Sequence, residues 1–286
     1  MIRCCRLEDL EQMTDLAFLK NNEPEYFSAF CPSKRISIKG DFENGMNSGD
    51  SIYAGYFQDN LLKGFIGGYV DKERENVDCI GPFTAESYNG IFHELFQFLR
   101  NQLPLDYKYT FYIGSENKEC IHFMEELNAL STGNEYTLYI EKKEYKNGEI
   151  SQELTEYSKE YKEQLINLHD TIFPGVYISG KGIIESLGKS REVCCIIKEN
   201  ELVGYCVLRN YNGTSNGTIE VLAVKEKYRH QGYGRKLLNS MIKKAFDSYN
   251  KERLNLIVDQ INQNALSLYY SIGFKLNQVN CAYIIK

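Results

Sequence analysis

Residues 229–238, with the sequence RHQGYGRKLL, bring flexible and basic residues together at one point of the chain. Gly232 and Gly234 stand directly before a run in which apolar residues have helical spacing. Glycine adopts backbone conformations that are closed to other residues, so several N–H groups can converge on one point. The first N–H groups of a helix lack partners and lie at the positive end of its dipole. The segment therefore predicts either a site for a phosphate-like anion, to which Arg229 and Arg235 add attraction, or a plain glycine turn.

Two other phosphate-binding motifs do not fit this segment. A dinucleotide-binding unit has a third glycine three residues after the second, and here that position is Leu237. A Walker loop ends in Gly-Lys-Ser or Gly-Lys-Thr, and the segment lacks this ending. The function of the glycines therefore depends on the elements around them.

These elements occur twice in the chain. Residues 55–65 (GYFQDNLLKGF) and 195–205 (CIIKENELVGY) each contain an apolar run, a polar turn that ends in Asn, and Leu-x-Gly-aromatic. The offset between the copies is constant, since 200 − 60 = 140 for the asparagines and 204 − 64 = 140 for the glycines. Each copy predicts a β-hairpin.

The same order of elements follows each hairpin: strand, amphipathic helix, strand, short helix and closing strand. In the first half we predict them at 77–83, 91–99, 108–113, 120–127 and 136–141. In the second half we predict them at 218–224, 237–246, 254–258, 265–272 and 282–285. A helix is also predicted before each hairpin, at 7–19 and at 160–172.

The chain is therefore predicted to be α/β, with two copies of a domain that has a mixed sheet, because strands alternate with helices after an antiparallel hairpin. The polar segment 142–151 separates the copies and contains the turn signal Asn147-Gly148. We place the domain boundary there, which gives domains at 1–145 and 146–286.

The second half carries two motifs in a fixed order. Arg229-x-x-Gly232-x-Gly234 follows a Leu-Ala-Val strand, and NQNALSLYYSIGF begins further on at Asn262. Together they resemble the GNAT family of acetyl-CoA-dependent N-acetyltransferases. The later family pattern is matched at Asn262, Ala265, Leu268, Tyr269, Gly273 and Phe274. The resemblance covers roughly residues 150–286 and, with the repeat, implies two tandem GNAT-like acyl-CoA N-acyltransferase domains.

The resemblance implies that acetyl-CoA is the co-substrate and that no metal is needed. Its pantetheine arm would pair with the backbone of Leu222, Ala223 and Val224. Its pyrophosphate would be held by the segment made of Arg229, His230, Gln231, Gly232, Tyr233, Gly234 and Arg235. Asn262 would hydrogen-bond the arm near the thioester, and it also suits the N-cap of the following helix.

The resemblance also implies two catalytic residues. Glu220 matches the glutamate that takes a proton from the acceptor amine, directly or through water, although a strand carboxylate can also simply face solvent. Tyr269 matches the tyrosine that returns a proton to the departing thiolate, although it also fits the apolar stripe of its helix. Tyr270 would point elsewhere. A backbone N–H near Val224 would meet the oxyanion.

The first half lacks the glycine-rich motif. Its loop has Gly90 near the helix start but no arginine and no second glycine, and Phe123-Met124 stands where Leu-Tyr would be. Asn117 is retained. We therefore predict a degenerate repeat that binds no acetyl-CoA and walls the acceptor site, which makes the chain a monomer with an intramolecular pseudo-dimer of repeats.

Composition narrows the class of partner. The 286 residues carry a formal net charge of -6, which is unlike the basic surface of nucleic-acid-binding proteins. No apolar run approaches the ~20 residues that span a bilayer, and the start shows no apolar signal region, so we expect a cytoplasmic protein without a membrane partner. The nine cysteines form no zinc motif and are expected to be reduced.

The sequence therefore predicts transfer of an acetyl group from acetyl-CoA to a primary amine of a small molecule or peptide, by direct attack. A non-catalytic acetyl-CoA-binding regulator is the alternative, and a scaffold without a ligand is a third possibility. The acidic composition favours a cationic acceptor. Phe173, Tyr177 and Tyr211 are candidates for an aromatic wall beside it.

Overall fold

The computed structural model describes residues 1–86, 90–146, 154–210 and 214–286. The chain divides into two compact units. Unit 1 is Met1–Glu135 with Gln278–Lys286, and unit 2 is Tyr136–Asn277. The predicted turn at Asn147-Gly148 and the aromatic candidate Tyr211 lie outside the described residues, so the boundary placed at that turn stays a prediction.

The described strands and helices follow the predicted order. The strands are β1 (Ile2–Cys4), β2 (Ser51–Gln58), β3 (Leu61–Asp71), β4 (Asn76–Thr84), β5 (Lys108–Gly114), β6 (Leu130–Glu141), β7 (Leu154–Glu156), β8 (Arg191–Lys198), β9 (Glu201–Arg209), β10 (Asn216–Val224), β11 (Arg253–Asp259) and β12 (Lys275–Ile285). The helices are α1 (Leu10–Asn21), α2 (Arg35–Ser48), α3 (Ile91–Arg100), α4 (Lys118–Glu126), α5 (Lys162–Ile172), α6 (Gly180–Glu185), α7 (Tyr233–Asp247) and α8 (Gln263–Ile272). Helices α2 and α6 were not predicted, since neither has a long apolar stripe.

Each unit contains a mixed sheet with the same strand arrangement. In unit 1 the order is β1-β2-β3-β4-β5-β12, and in unit 2 it is β6-β11-β10-β9-β8-β7 read from the opposite edge. The hairpins β2–β3 and β8–β9 are antiparallel, whereas β4–β5 and β10–β11 are parallel. This confirms the predicted α/β class with a mixed sheet.

The two units share details of their hairpins, as expected for a repeated fold. Both hairpin turns have two residues with positive φ, Asp59-Asn60 and Glu199-Asn200. The backbone N–H of Leu62 donates to the side chain of Gln12 at 2.8 Å. The N–H of Leu202 donates to Gln164 at 2.9 Å in the same way. The helix before each hairpin is thus fastened to the second hairpin strand by one glutamine.

The closing strands differ from the prediction. Residues 136–141 of β6 belong to unit 2, next to β11, and were expected to close the first half. Residues from Gln278 onward of β12 belong to unit 1, where β12 pairs antiparallel with β5 from Asn280↔Gly114 to Ile285↔Tyr109. The physical reason is that the apolar residues of a segment predict a strand but not its partner, which depends on contacts with residues distant in sequence.

Helices cover both faces of each sheet. In unit 2, α7 and α8 pack on one face and α5 and α6 on the other, through two separate apolar clusters. Strand β9 serves both clusters, because Val203 and Cys206 face α7 whereas Tyr205 and Val207 face α5. Its residues are buried almost throughout, as expected for a strand that is covered on both faces.

Gly204 allows β9 and β10 to approach closely. A Cβ at this position would lie 2.5 Å from the Ala223 carbonyl oxygen and 3.1 Å from Leu237 Cδ1. We expect Gly204→Ala to lower the free energy of unfolding by about 1–3 kcal/mol, the usual cost of overpacking, in urea denaturation. The matched control is Gly234→Ala, where the nearest atom to the new Cβ is Leu268 Cδ2 at 3.4 Å, an ordinary contact. Equal stability of the two variants would contradict this account.

Candidate functional site

A groove of about 470 Å³ in unit 2 collects most of the predicted site residues. It runs from the end of β10 past the start of α7 to the start of α8. Ten of the eleven residues predicted to bind the cofactor line it, namely Leu222, Ala223, Val224, Arg229, His230, Gly232, Tyr233, Gly234, Arg235 and Asn262. Ile172 and Phe173 at the end of α5 line it as well.

The groove begins where β10 and β11 separate. Their registered pairs are Asn216↔Arg253, Gly217↔Leu254 and Thr218↔Asn255. Both strands continue beyond this point without further pairs to each other, although both lie wholly within the described residues. One edge of residues 222–224 therefore faces the groove, and an extended ligand with amide groups can pair with it.

The start of α7 forms the cradle that the glycine motif predicts. His230 and Gly232 have φ of 59° and 83°, in the left-handed region. Gly232 is the N-cap residue and no side chain caps the helix. The first turn of α7 contains no acidic residue. The N–H groups there are thus available to an anion, and the helix dipole adds to the attraction.

Two arginines flank this cradle. Arg229 Nε donates to the Val224 carbonyl at 3.1 Å, and Arg235 Nη2 donates to Ser271 Oγ at 2.6 Å. Gln231 is not among the lining residues, and its side chain donates to the Lys227 carbonyl at 3.0 Å. The predicted binding of the cofactor by Gln231 would therefore involve its backbone N–H alone, and it remains a prediction.

Glu201 fixes the turn that leads into the cradle, although it belongs to no motif of the sequence. Its carboxylate accepts hydrogen bonds from Lys225 at 3.0 Å, Lys227 at 2.6 Å and Tyr228 at 2.8 Å. The bond from Lys227, followed by those from Lys225 and Tyr228, lowers the pKa of Glu201 to about 2. The charges of the two lysines are thus engaged with Glu201 rather than directed at the groove.

Asn262 lies at the start of α8 with two functions available to it. Its Oδ1 accepts from the backbone N–H of Ala265 at 3.2 Å, which is the N-cap bond. Within the described residues its side-chain N–H₂ makes no hydrogen bond, and the residue lines the groove. The N-cap interpretation is confirmed, and the N–H₂ group remains free to bind a ligand.

Glu220 is held in an ion-pair cluster rather than facing solvent. It sits at an irregularity in the β9–β10 pairing, between Ile219 and Val221, and its side chain is 4% exposed. Arg191 donates to both carboxylate oxygens, at 2.5 Å and 2.9 Å. The Tyr177 hydroxyl also donates to Oε1.

Tyr177 stays protonated in this cluster. Burial of its hydroxyl and the Glu220 carboxylate raise the pKa of Tyr177 to about 12. A carboxylate oxygen has two lone pairs, and Oε2 of Glu220 accepts only from Arg191 among the described residues. Oε2 therefore retains one lone pair through which a water or an amine could bind.

Tyr269 lies in the core beside the groove. Its side chain packs against Phe274, with ring centroids 5.8 Å apart, and the residue is 8% exposed. Burial raises the pKa of Tyr269, so the hydroxyl keeps its proton. Ala265 and Leu268 on the same helix line the groove, whereas Tyr270 is 44% exposed. The core-packing alternative is thus correct for the ring, and the hydroxyl remains without a partner in the described residues.

The comparison with known proteins agrees with this geometry. Residues 154–274 match the sequence model of the acetyltransferase (GNAT) family. Residues 154–274 are thus the part of the chain that resembles the GNAT family in sequence. The matched segment contains the groove, the cradle, Glu220 and Tyr269.

Curated relatives match a shorter stretch of the chain. An N-alpha-acetyltransferase of Sulfurisphaera tokodaii is 36% identical over 87 residues, which are 27% of this chain and 52% of that protein. An N-alpha-acetyltransferase of Saccharolobus solfataricus is 34% identical over 89 residues, 28% of this chain and 53% of that protein. The chain spans about half the length of the curated relatives that it matches.

Solved GNAT structures resemble the whole chain in fold. A GCN5-related N-acetyltransferase from Sphaerobacter thermophilus has a TM-score of 0.77 at 13% identity and covers 100% of this chain and 95% of that one. A tandem GNAT protein from the clavulanic acid biosynthesis pathway has a TM-score of 0.71 at 10% identity, and the match covers 100% of this chain and 98% of that one. At these identities the likeness concerns the fold, and it confirms the predicted tandem arrangement.

Unit 1 has the same strand separation but fills it with its own backbone. Strand β4 pairs with β5 only as far as Asp78↔Thr110. Beyond this point residues 27–29, here called the plug segment, lie along the edge of β5. The N–H of Ala29 donates to the Tyr112 carbonyl at 2.8 Å, and the N–H of Gly114 donates to the Phe27 carbonyl at 3.0 Å.

The plug segment also contacts β4 and the start of α4. Ser28 Oγ accepts from the N–H of Gly81 in β4 at 3.2 Å. Asn117, which corresponds to Asn262, caps α4 and donates its Nδ2 to the Phe27 carbonyl at 3.4 Å. In unit 1 the edge of β5 and the Asn117 side chain are therefore bonded to the chain itself.

The loop after α5 is fixed by a histidine that belongs to none of the sequence motifs. His169 is 1% exposed, with Nδ1 2.6 Å from the Tyr205 hydroxyl oxygen and Nε2 2.9 Å from the Ile178 carbonyl oxygen. Because a carbonyl only accepts, Nε2 carries the proton and Tyr205 donates to Nδ1. Asp170 accepts from the N–H of Gly180 at 2.8 Å. These bonds hold the loop that carries Tyr177.

Membrane-spanning helices and metal-binding clusters are absent from the described residues. None of the described helices is long and apolar enough to cross a bilayer. The described His, Cys, Asp and Glu side chains do not assemble in groups of three or more that could bind a metal ion. The nine cysteines are free thiols.

Proposed function

We propose that this chain is an acetyl-CoA-dependent N-acetyltransferase that acetylates the α-amino group of a peptide or small molecule. The observation that carries the proposal is the unit 2 groove, which joins an uncapped helix start to a strand edge that faces no partner strand. Glu220 lies two residues before the lining residue Leu222, and Tyr269 directly follows the lining residue Leu268. A ligand-free scaffold has no need of this combination. The match of residues 154–274 to the GNAT family model supports it.

The residues of the groove fit acetyl-CoA, which supplies an acetyl thioester. The N–H groups at the start of α7 suit its pyrophosphate. The open edge of residues 222–224 suits the amides of its pantetheine arm, and the Asn262 side chain supplies a further donor near that edge. In unit 1 the plug segment lies along β5 and bonds the Asn117 side chain, so we propose that one chain binds one acetyl-CoA.

The chemistry needs two proton transfers. The attacking amine must be neutral, and its surplus proton must leave as the amide bond forms. We assign this proton to Glu220 Oε2, through a water. The thiolate that departs as the thioester bond breaks takes a proton from Tyr269, whose pKa is raised by burial.

The engagement of Glu220 favours an acceptor that is already partly neutral. An α-amine with a pKa of about 7.7–8.0 is roughly one-tenth neutral at pH 7, whereas a lysine ε-amine with a pKa of about 10.4 is neutral in roughly one molecule in 2,500. Three of the four hydrogen bonds that the Glu220 carboxylate can accept are already made. The names of the curated relatives, N-alpha-acetyltransferases, point to the same class of amine.

A peptide pair tests this function. One peptide has a free α-amine and no lysine, and its control has a blocked α-amine and one lysine. We expect acetylation of the first, detected by mass spectrometry, with a rate that rises about tenfold per pH unit below pH 7 as the neutral amine fraction grows. Acetylation of the lysine peptide alone would overturn the α-amine assignment. Binding of acetyl-CoA without acetylation of any amine would instead indicate a non-catalytic acetyl-CoA-binding protein.

A further inference from the structure

Two arginines face each other across β8 and β9 beside Glu220. Arg191 and Arg209 are directly opposed in the strand register, and their side chains lie on the same face. Like charges in such a position repel each other unless an anion lies between them. Glu220 is that anion, in contact with Arg191 at 2.5 Å and with Arg209 at 3.5 Å. The cluster thus contains two guanidinium groups and one carboxylate.

The two arginines differ in what they offer to a ligand. Arg191 is 10% exposed in its side chain and binds Glu220 through two hydrogen bonds. Arg209 is 35% exposed, and its Nη1 lies beyond normal hydrogen-bond distance from Glu220. A guanidinium has five N–H donors, so Arg209 can bind a second carboxylate while it keeps its present contacts.

The cluster lies at the acceptor end of the groove. Glu220 precedes the lining residue Leu222 by two strand positions, which corresponds to about 7 Å along β10. Tyr177, whose hydroxyl contacts Glu220, is in the loop that begins at the lining residue Phe173. A group attached close to an acceptor amine at this end would therefore lie within reach of Arg209.

We propose that the acceptor carries a carboxylate close to its amine and that Arg209, supported by Arg191, binds this carboxylate. The inference rests on the proposed function, since it concerns the acceptor of the same site. It reverses the cationic acceptor expected from the net charge of -6, because the acidic residues are spread over the chain whereas, among the described residues, two guanidinium groups contact one carboxylate at this site. The carboxylate has two sources, the α-carboxylate of a free amino acid or an acidic side chain near a peptide N-terminus.

Matched acceptor pairs test the proposal on the full chain. One arm compares amino acids with their amides, and the other compares amidated tripeptides that carry Glu or Gln at the second position. We expect kcat/KM to be at least about tenfold higher for the acid in one arm, since a charge-assisted hydrogen bond is lost with the amide. Arg209→Gln should bring this ratio close to one, and Arg209→Lys should retain part of it. Acetyl-CoA affinity, measured by calorimetry, should be the same in all three proteins.

A second readout does not need turnover. The rise in Tm that each acceptor produces in the presence of acetyl-CoA should be larger for acids than for amides in the wild type, and equal for both in Arg209→Gln. Acetylation with equal kcat/KM for acids and amides in both arms would overturn the carboxylate proposal and leave the enzyme assignment intact. Acid-selective stabilisation without any acetylation would support the carboxylate site and overturn the enzyme assignment.

Discussion

Gly232→Glu is expected to raise the Kd for acetyl-CoA at least 100-fold. Gly232 is the N-cap of α7, and a Cβ added there would meet no other atom within 4 Å, although the positive φ strains the backbone of any substituted residue. The added carboxylate would stand where the pyrophosphate is proposed to bind. Two like charges about 5 Å apart repel by about 3 kcal/mol at an effective dielectric constant of ~20, which corresponds to more than 100-fold in Kd.

The chain contains a matched control for this variant. Gly90 is the N-cap of α3 in unit 1, with a φ of 79° against 83° for Gly232, and a Cβ there also meets open space. Both variants therefore carry similar backbone strain and the same added charge. Calorimetry of Gly90→Glu should give one equivalent of acetyl-CoA with wild-type affinity. Unchanged affinity in Gly232→Glu, or lost affinity in Gly90→Glu, would place the cofactor elsewhere.

Tyr269→Phe is expected to lower the rate of the chemical step about 100-fold, the lower range for loss of a general acid. The substitution removes the hydroxyl and keeps the ring that packs against Phe274. Acetyl-CoA affinity should stay unchanged, because Tyr269 is not among the residues that line the groove. Single-turnover rapid-quench measurements isolate this step from product release.

Tyr270→Phe is the control for Tyr269→Phe. Tyr270 is the adjacent residue of α8, but its side chain is largely exposed and points away from the core. The Tyr270→Phe variant should therefore catalyse the chemical step at the wild-type rate. Because burial raises the pKa of Tyr269, its hydroxyl stays protonated well above neutral pH, so the wild-type rate should not fall between pH 7 and 9 through loss of this proton. A wild-type rate in Tyr269→Phe would remove it as the acid.

Local patterns were sufficient for most elements of the fold. The helices α3, α7 and α8 lie where apolar residues recur at helical spacing, since such a stripe must be buried against the sheet. The paired hairpins follow from one offset of 140 residues, and their Asn turns adopt the left-handed conformation that Asn tolerates. The conformation at the start of α7 could be predicted from Gly232, because glycine readily adopts the positive φ that is found there.

Local sequence patterns could not predict contacts between residues that are distant in the chain. Arg191, Arg209 and Tyr177 meet Glu220 from three separate elements, and none of them belongs to a motif. The plug segment in unit 1 is a short irregular stretch whose backbone bonds have no counterpart in its side-chain sequence. Every residue has a backbone C=O acceptor, and every residue except proline has a backbone N–H donor. The residue types therefore do not reveal where backbone hydrogen bonds form.

The exchange of the closing strands shows most clearly the difference between what local patterns predict and what contacts between distant residues decide. Both β6 and β12 were predicted as strands, and both are strands, because their apolar residues suit a sheet position. Which sheet each one completes depends on the path of the chain, and the local sequences of 136–141 and 278–285 do not specify it. Motif chemistry and secondary structure are properties of neighbouring residues and are readable in order along the chain. Strand partners, the charge state around Glu220 and the filled groove of unit 1 arise from free energies summed over residues that only folding brings together.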